Sequence, residues 1–384
     1  MKRSAGSDEA GWDGGRMEQL VFVTLSLTKG GAERVICNMC NEYFAKRCRV
    51  SIVSLMKAEP EYHLDERIRL LTVDEQEQDA KDSLPVRFLR RRKKLKKLLC
   101  GLKKEGAQAV ISFLPEPNML TCSLKRAVGI RLIISVRNAP TVEYRGKVRY
   151  LLMRLLYPKA DAYVFQTQQA REYFSFSRHI TQNSEVIPNP IAREFIGRPA
   201  SSDRKKIIVA VGRLEEQKDP LLLLEAFVLV HERVPEYRLL LYGEGSLQEK
   251  LLDEIVRRGL EGSVFLKGNA ERMDELVKDA SLFVLSSRYE GMPNALMEAM
   301  ALGVPCISTD CPCGGPAELI RHGENGLLVP VGDAKKLADA MTDLLLDHER
   351  AQQMGIRAQE IGNRLKPDAV YELWDRLVKA GREQ

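Results

Sequence analysis

No stretch of this 384-residue chain approaches the ~18 or more uninterrupted apolar residues of a membrane-spanning helix, so none is expected. Residues 1–16 hold Gly, Ser and mixed charges without an apolar run. They suit neither a signal peptide nor a strand, and are expected to form a disordered leader. With no secretion signal, the expected location is the cytoplasm, where the eight scattered cysteines stay reduced. Cys306, Cys311 and Cys313 cluster, but no fourth Cys or His stands at zinc-site spacing. Small buried or loop residues are therefore expected there, and no metal site. The five histidines, His63, His179, His231, His322 and His348, read as surface or loop residues. No nucleic-acid-binding motif or aromatic platform accompanies the basic residues, so nucleic acid is not an expected partner.

What is present is a long, mixed α/β pattern. The length exceeds one ordinary core and points to two domains. A hydrophobic content of 44% and a charged content of 29% fit a globular chain. Short apolar strands alternate with helical stretches: Leu20 to Leu25, Val50 to Leu55, Ala109 to Phe113, Arg131 to Val136, Ala162 to Gln166 and Ser184 to Ile187. An acidic loop is expected from the second strand to Asp82. The pattern repeats at Ile207, Leu239, Val264, Leu282, Cys306 and Leu327. Near-continuous apolar strands separated by helices mark parallel sheets covered on both faces. The segment from Ile191 to Lys205, with Pro190 before it and Gly197 and Pro199 within it, reads as a linker. The expected units are 17–192 and 193–366, with a last helical segment, 367–384, crossing back to the first.

The net charge of +6 conceals an asymmetry. Residues 17–192 hold 30 Lys and Arg against 18 Asp and Glu, whereas 193–384 hold 26 against 32. Much of the basic surplus lies between Pro85 and Lys104, with ten Lys or Arg and no acid. Phe88, Leu95, Leu98, Leu99 and Leu102 recur there at helical spacing. Such a helix suits an anionic membrane surface, or an ordinary solvated helix packed on a sheet. The stretch Tyr144 to Lys159 adds five more cations among Tyr150, Leu151, Leu155 and Leu156, a second possible contact.

The chemistry-bearing residues sit at strand ends. Glu290 and Glu298 frame Gly291-Met292-Pro293-Asn294-Ala295-Leu296, where a loop opens a helix near Pro293 and Gly303 stops it. A carboxylate before a helix N-terminus and another behind it suit a ligand with phosphate and sugar hydroxyls. Upstream, Ile207 to Val211 runs into Gly212, Arg213 and Lys218, and Leu239 to Tyr242 ends in Gly243 and Gly245. Val264 to Lys267 ends in Gly268.

This order resembles the retaining glycosyltransferases of family 4. The likeness also takes in Lys29-Gly30-Gly31-Ala32-Glu33-Arg34, Val186-Ile187-Pro188-Asn189-Pro190 and Gly323-Glu324-Asn325-Gly326-Leu327. It covers nearly the whole chain from about Met17. The resemblance implies a GT-B fold, two Rossmann-like doubly wound parallel-sheet domains facing across a cleft. It implies a nucleotide-sugar donor, linked to UDP, and a glycan acceptor carried on a polyprenyl diphosphate, in bacterial surface glycan synthesis at the inner face of the membrane. Arg213 and Lys218 become the diphosphate clamp, needing no metal, in keeping with the lack of an Asp-x-Asp motif. Gly30 and Gly31 would close on the diphosphate from the other domain, Glu298 would hold the ribose and Glu290 the donor sugar. Gly243, Gly268 and Gly291 to Leu296 would complete the donor site.

One position departs from the pattern. Many relatives have a His after the strand Ile133 to Val136, where this chain has Arg137-Asn138. Arg137 is a candidate catalytic cation near sugar or phosphate, or a surface Arg beside a helix-capping Asn. With Asn118, Asn138 and Asn189 it is placed on the acceptor side. Two other readings are a UDP-sugar 2-epimerase of the same architecture and a nucleotide-sugar-binding scaffold without catalysis.

Overall fold

The computed structural model describes residues 18–28, 30–46, 48–57, 59–74, 83–269 and 272–380; the expected leader and Lys29 lie outside them. The chain divides into two compact units, residues 1–112 with 123–132, and 113–122 with 133–384. Its strands form a seven-stranded sheet, in the order β3-β2-β1-β4-β5-β6-β7, and a six-stranded sheet, β10-β9-β8-β11-β12-β13.

The first unit holds β1 (Glu18–Thr24), α1 (Gly31–Lys46), β2 (Cys48–Met56), β3 (Arg69–Asp74), α2 (Leu84–Lys104), β4 (Ala107–Phe113) as far as Ser112, and the end of α3 (Pro115–Val128), whose start belongs to the second unit. All its strand pairings are parallel, with Phe22 opposite Ile52 and Ile111. The segment read as an acidic loop to Asp82 contains strand β3, which pairs Leu70 with Ile52. It lies at the sheet edge with Arg69 exposed and the next three residues half-buried, so its sequence lacks the apolar run of a central strand.

Helix α2 owes its position to both halves of its amphipathic pattern. Leu95, Leu99 and Leu102, at helical spacing, are buried. Several of its cations also turn inward. Arg91 is buried and its Nε lies 2.6 Å from Asp74 Oδ2 at the end of β3, with Arg90 at 3.7 Å from the same carboxylate. Arg92 Nε donates to Ser123 Oγ at 3.1 Å, and Lys103 Nζ to the Val128 carbonyl at 2.8 Å. The basic run is therefore partly structural.

The second unit continues with β5 (Arg131–Val136) from Ile133 on, α4 (Pro140–Glu143), α5 (Lys147–Leu156), β6 (Ala162–Phe165), α6 (Gln168–Glu172), α7 (Arg178–Gln182), β7 (Ser184–Val186), β8 (Lys205–Val211), α8 (Pro220–Arg233) and β9 (Arg238–Tyr242). Then follow α9 (Gln248–Arg257), β10 (Val264–Leu266), α10 (Met273–Val277), β11 (Ala280–Leu285), α11 (Asn294–Ala301), β12 (Cys306–Thr309), α12 (Gly315–Leu319) and β13 (Leu327–Val329). The chain ends in α13 (Ala334–Leu346), α14 (His348–Ala358), α15 (Ile361–Arg364) and α16 (Pro367–Lys379).

Alternation along the strands buries both faces of the six-stranded sheet. Ile208, Leu282, Val284 and Ile307 face one core, under α8 and α13. Val209, Phe283, Leu285 and Cys306 face another, under α11. Trp374 of α16 is fully buried, its ring 6.1 Å from Phe113. Among the described residues no helix is long and apolar enough to cross a membrane.

The ion pair under α2 sets a test of this packing. Removing one partner of a buried pair strands the other charge, at a cost of about 3 kcal/mol. Arg91→Leu should therefore lower urea stability by about that much, while Lys93→Ser, on an exposed position, stays within about 0.5 kcal/mol of wild type. Equal midpoints for Arg91→Leu and wild type would show that the pair does not hold α2.

Candidate active site

In the six-stranded sheet β8 neighbours both β9 and β11, so the chain leaves β8 in one direction and returns to its other side. Loops leaving the carboxyl ends of β8 and β11 diverge there, which is where doubly wound sheets bind ligands. The loop after β8 carries Gly212, Arg213 and Lys218; the loop after β11 carries Ser286, Ser287 and Glu290.

The two loops are stitched together. Arg288 N donates to the Gln217 carbonyl at 2.8 Å, and Gln217 Nε2 to the Tyr289 carbonyl at 3.1 Å. Ser286 Oγ donates to the Lys218 carbonyl at 2.8 Å. Arg288 Nε reaches Asp219 Oδ2 at 2.7 Å, and Asp219 itself holds a left-handed turn at φ 46° before α8. The centre of the seam is an ion pair: Lys218 Nζ lies 2.5 Å from Glu290 Oε1. Ser287 Oγ donates to the same oxygen at 2.6 Å. Ser287 is held in turn, because Thr309 Oγ1 donates to its carbonyl at 2.6 Å. The Glu290 backbone is clamped by Pro312 O at 2.7 Å and Cys313 N at 2.8 Å. Both side-chain bonds thus load Oε1 and leave Oε2 without a partner among the described residues. A fixed carboxylate with one open oxygen can accept from a hydroxyl. Arg213 Nη2 donates to Gln217 Oε1 at 3.1 Å, which keeps its guanidinium on the same loop as Lys218.

Beside this pair lies a second hydrogen-bond network, centred on Asn189. Its Oδ1 accepts from Gln166 Nε2 at 2.7 Å and from Arg137 Nη2; its Nδ2 donates to Asn294 Oδ1 at 2.7 Å and to the Met292 carbonyl at 3.3 Å. Gln166 Oε1 also accepts from Met292 N at 3.3 Å. The chain around Gly291 threads a gap too narrow for a side chain: a Cβ there would sit 2.5 Å from Gln166 Oε1 and against the Arg137 carbonyl. Arg137 is not a surface residue. It is buried, stands 5.7 Å over the Phe113 ring, and its Nε has no hydrogen-bond partner. No carboxylate lies within ion-pair distance of it among the described residues, and burial pulls its pKa down to about 9.

A glycosyl transferase 4-like domain model matches residues 30–190, and a glycosyl transferases group 1 model matches residues 192–361. The N-acetylgalactosamine-N,N'-diacetylbacillosaminyl-diphospho-undecaprenol 4-alpha-N-acetylgalactosaminyltransferase of Campylobacter jejuni is 30% identical over 344 residues. That match spans 86% of this chain and 91% of the relative. The chain belongs to the family 4 glycosyltransferases. An exopolysaccharide phosphotransferase of Streptomyces coelicolor is 35% identical over 248 residues, 64% of this chain; the match spans about a quarter (26%) of that longer relative. The crystal structure of Anabaena HepE in complex with UDP and glucose superposes with a TM-score of 0.81, covering 95% of this chain and 100% of that one at 18% identity, which shows the GT-B fold.

In this glycosyltransferase the sequence-derived site residues fall into distinct groups. Lys218 and Glu290 meet at the switch point, with Arg213 on the same loop as Lys218, whereas Lys218 and Glu290 were expected to serve separate parts of the donor. Gly243 and Gly268 also meet, Gly243 N donating to the Gly268 carbonyl at 2.8 Å; Gly243 has φ 131° and its Cβ would collide with the Gly212 carbonyl. Pro293 is the N-cap, one residue before the expected helical turn, and α11 runs from Asn294 through Ala295, Leu296 and Glu298, which is buried. Gly303 ends the helix at φ 72°. Asn118 is buried, its Nδ2 donating to the Ser135 carbonyl at 3.0 Å; Asn138 folds back on Ala139 N at 2.9 Å, just before α4. Gly30 and Gly31 open α1 in the first unit, Gly30 N donating to Tyr62 Oη at 3.3 Å. Ser287, Gln166, Gln217 and Thr309 carried no sequence-based assignment. The polar ends of otherwise apolar strands, Ser286-Ser287 after β11 and Gln166-Thr167 after β6, were the available signal.

Glu143 on α4 adds a titrating group near the clamped loop. Its Oε2 is sealed from solvent without a partner, and burial raises its pKa from 4.5 to about 8, with Arg149 opposing. An acid raised on folding contributes its stability below the unfolded value and loses it as pH climbs through the folded value. Glu143→Gln should therefore flatten the stability profile between about pH 5 and 8, and exceed wild type by about 1 kcal/mol or more at the upper end. Thermal melts across that range check it; parallel profiles would show that the carboxyl titrates normally.

Proposed function

We propose that this chain is a retaining glycosyltransferase that moves a hexose or N-acetylhexosamine from UDP to a glycan acceptor carried on a polyprenyl diphosphate, in bacterial surface glycan synthesis. The observation that carries the reading is the Lys218–Glu290 pair, beside Arg213, at the β8/β11 switch point. Cleaving a nucleotide-sugar bond leaves negative charge on a diphosphate oxygen, which needs preorganised cations and N–H groups. Arg213 offers a planar fork and Lys218 a point charge on one loop, held by the hydrogen bonds described above. Because Glu290 already holds Lys218, an arriving diphosphate draws the ammonium from a carboxylate whose other oxygen faces a sugar hydroxyl. One residue pair thereby couples the phosphate and sugar ends of the donor.

Retention follows from attack on the face the leaving group vacates. The acceptor oxygen bonds to the anomeric carbon as the bond to the diphosphate oxygen breaks, and that oxygen takes the acceptor proton. Two cations at the leaving group, with no Asp-x-Asp motif in the sequence, support chemistry without a metal. The relative in Campylobacter is named for a diphospho-undecaprenol acceptor, and the Anabaena neighbour was solved with UDP; these support the acceptor and donor classes. A peripheral place at the inner membrane face agrees with such an acceptor.

Arg213→Ala and Lys218→Ala should each lower turnover about a hundredfold or more and weaken UDP binding. Glu290→Gln should abolish transfer yet bind UDP as well as wild type or better, since Lys218 loses its internal partner. Glu298→Ala should weaken UDP through the ribose. Titration calorimetry separates these cases, and a loss of UDP binding in Glu290→Gln would overturn the pairing argument. Transfer should also survive EDTA.

Arg137→Met removes a buried cation without a counter-ion, so its melting temperature should equal or exceed wild type while transfer falls. A melting temperature clearly below wild type would make Arg137 a structural residue.

A further inference from the structure

Helix α5 presents an apolar stripe that the fold leaves uncovered. Val148, Leu151, Leu152 and Leu155 stand at i, i+3, i+4 and i+7, and are 74%, 56%, 40% and 60% exposed. The residue that α5 buries is Met153, on the opposite side. Side-chain contacts fix the helix in that orientation. Arg154 stacks over the Phe176 ring at 4.4 Å and donates to Tyr150 Oη at 2.9 Å, and Arg149 Nη1 donates to the Glu143 carbonyl at 3.0 Å. From Tyr144 to Lys159 the chain holds Arg145, Lys147, Arg149, Arg154 and Lys159 and no acid. On the helix, Lys147 and Arg154 flank one side of the stripe and Arg149 the other.

We propose that α5 lies in the surface of an anionic bilayer, with its leucines and valine in the headgroup boundary and its cations among the lipid phosphates. The occupant follows from the chemistry of the stripe. Four aliphatic side chains on one convex helix, rimmed by cations on both sides, match an apolar layer bounded by anions. Helix α2, the more basic segment, carries less of the apolar half of that match, with Val86 and Leu89 exposed near its start and no four-residue stripe. Its Leu95, Leu99 and Leu102 are buried in the first unit's core, and Arg91 is spent on Asp74. What α2 can offer a membrane is mainly charge, with two exposed apolar side chains near its start.

The lipid-linked acceptor of the proposed function gives this anchor its purpose, but the stripe rests on its own geometry and has its own test. The full chain is floated with vesicles of phosphatidylcholine, with or without phosphatidylglycerol, while UDP protection against heat is followed in the same samples. Binding should require the anionic lipid and weaken with salt. Leu151→Ser combined with Leu155→Ser should lower vesicle binding at least tenfold, with melting temperature and UDP protection unchanged because both positions are exposed. Arg145→Ser with Lys147→Ser should weaken binding to anionic vesicles. Undiminished binding by the leucine variant, or binding lost in Lys93→Ser, Lys96→Ser, Lys97→Ser but kept in that variant, would overturn the proposal. So would a dimer that the leucine substitutions dissociate, since a second copy would then cover the stripe. If UDP gives no protection while flotation behaves as described, the donor assignment fails and the anchor stands.

Discussion

The site depends on the approach of two parallel-strand ends whose connections run opposite ways. Because β8 and β11 are neighbours, Lys218 and Glu290, 72 residues apart, can share a contact of 2.5 Å. Neither charge is solvated enough to tolerate a poor geometry, with side-chain exposures of 21% and 7%. The surrounding hydroxyls and amides therefore do work that the pair cannot do for itself. Ser287 fills the second acceptor site on Oε1, Thr309 fixes Ser287, and Ser286 fixes the Lys218 backbone. A half-satisfied version of this seam would cost more than an apolar one.

The basic residues of the chain are used in three different ways, which their number alone conceals. Arg91 is a buried strut against Asp74. Arg213 and Lys218 sit on the loop that leaves the carboxyl end of β8. The cations of α5 border an apolar stripe. What separates these uses is the fate of the adjacent apolar residues. Where leucines go into a core, as on α2, neighbouring cations are drawn into ion pairs or left on the surface. Where leucines stay outside, as on α5, cations become the rim of a surface patch.

Much of this was legible in the sequence. The six strands from Ile207 to Leu327 are apolar runs, the first three ended by Gly212, Gly243 and Gly268, because a strand buried on both faces has no room for alternation. Glu290, Arg213 and Lys218 stand out in the sequence for a similar reason, as polar residues that follow the ends of such runs. Strand β3 was hidden because an edge strand with half-exposed residues has neither an apolar run nor a clean period. The pairing of Lys218 with Glu290 was hidden too: strand order is a tertiary fact, and the sequence shows only that both residues follow strands. Arg137 was ambiguous because a basic residue after a strand is usually solvated, and only packing shows Phe113 beneath it and Asn189 beside it.

The contrast between Arg137 and Lys218 bears on what each can do. Lys218 has an internal carboxylate, so any anion reaching it must compete with Glu290, and the gain on binding would be a difference between two ion pairs. Arg137 has only neutral partners, Asn189 and Ser135, and an unpartnered Nε. Its desolvation is uncompensated in the folded protein, which is why its pKa falls toward 9. A folded chain retains such a cost where it is repaid by something outside the fold. An anion or sugar oxygen meeting Arg137 recovers that interaction without displacing a carboxylate. The same two charges, one precompensated and one not, would thus respond differently as negative charge develops in the site.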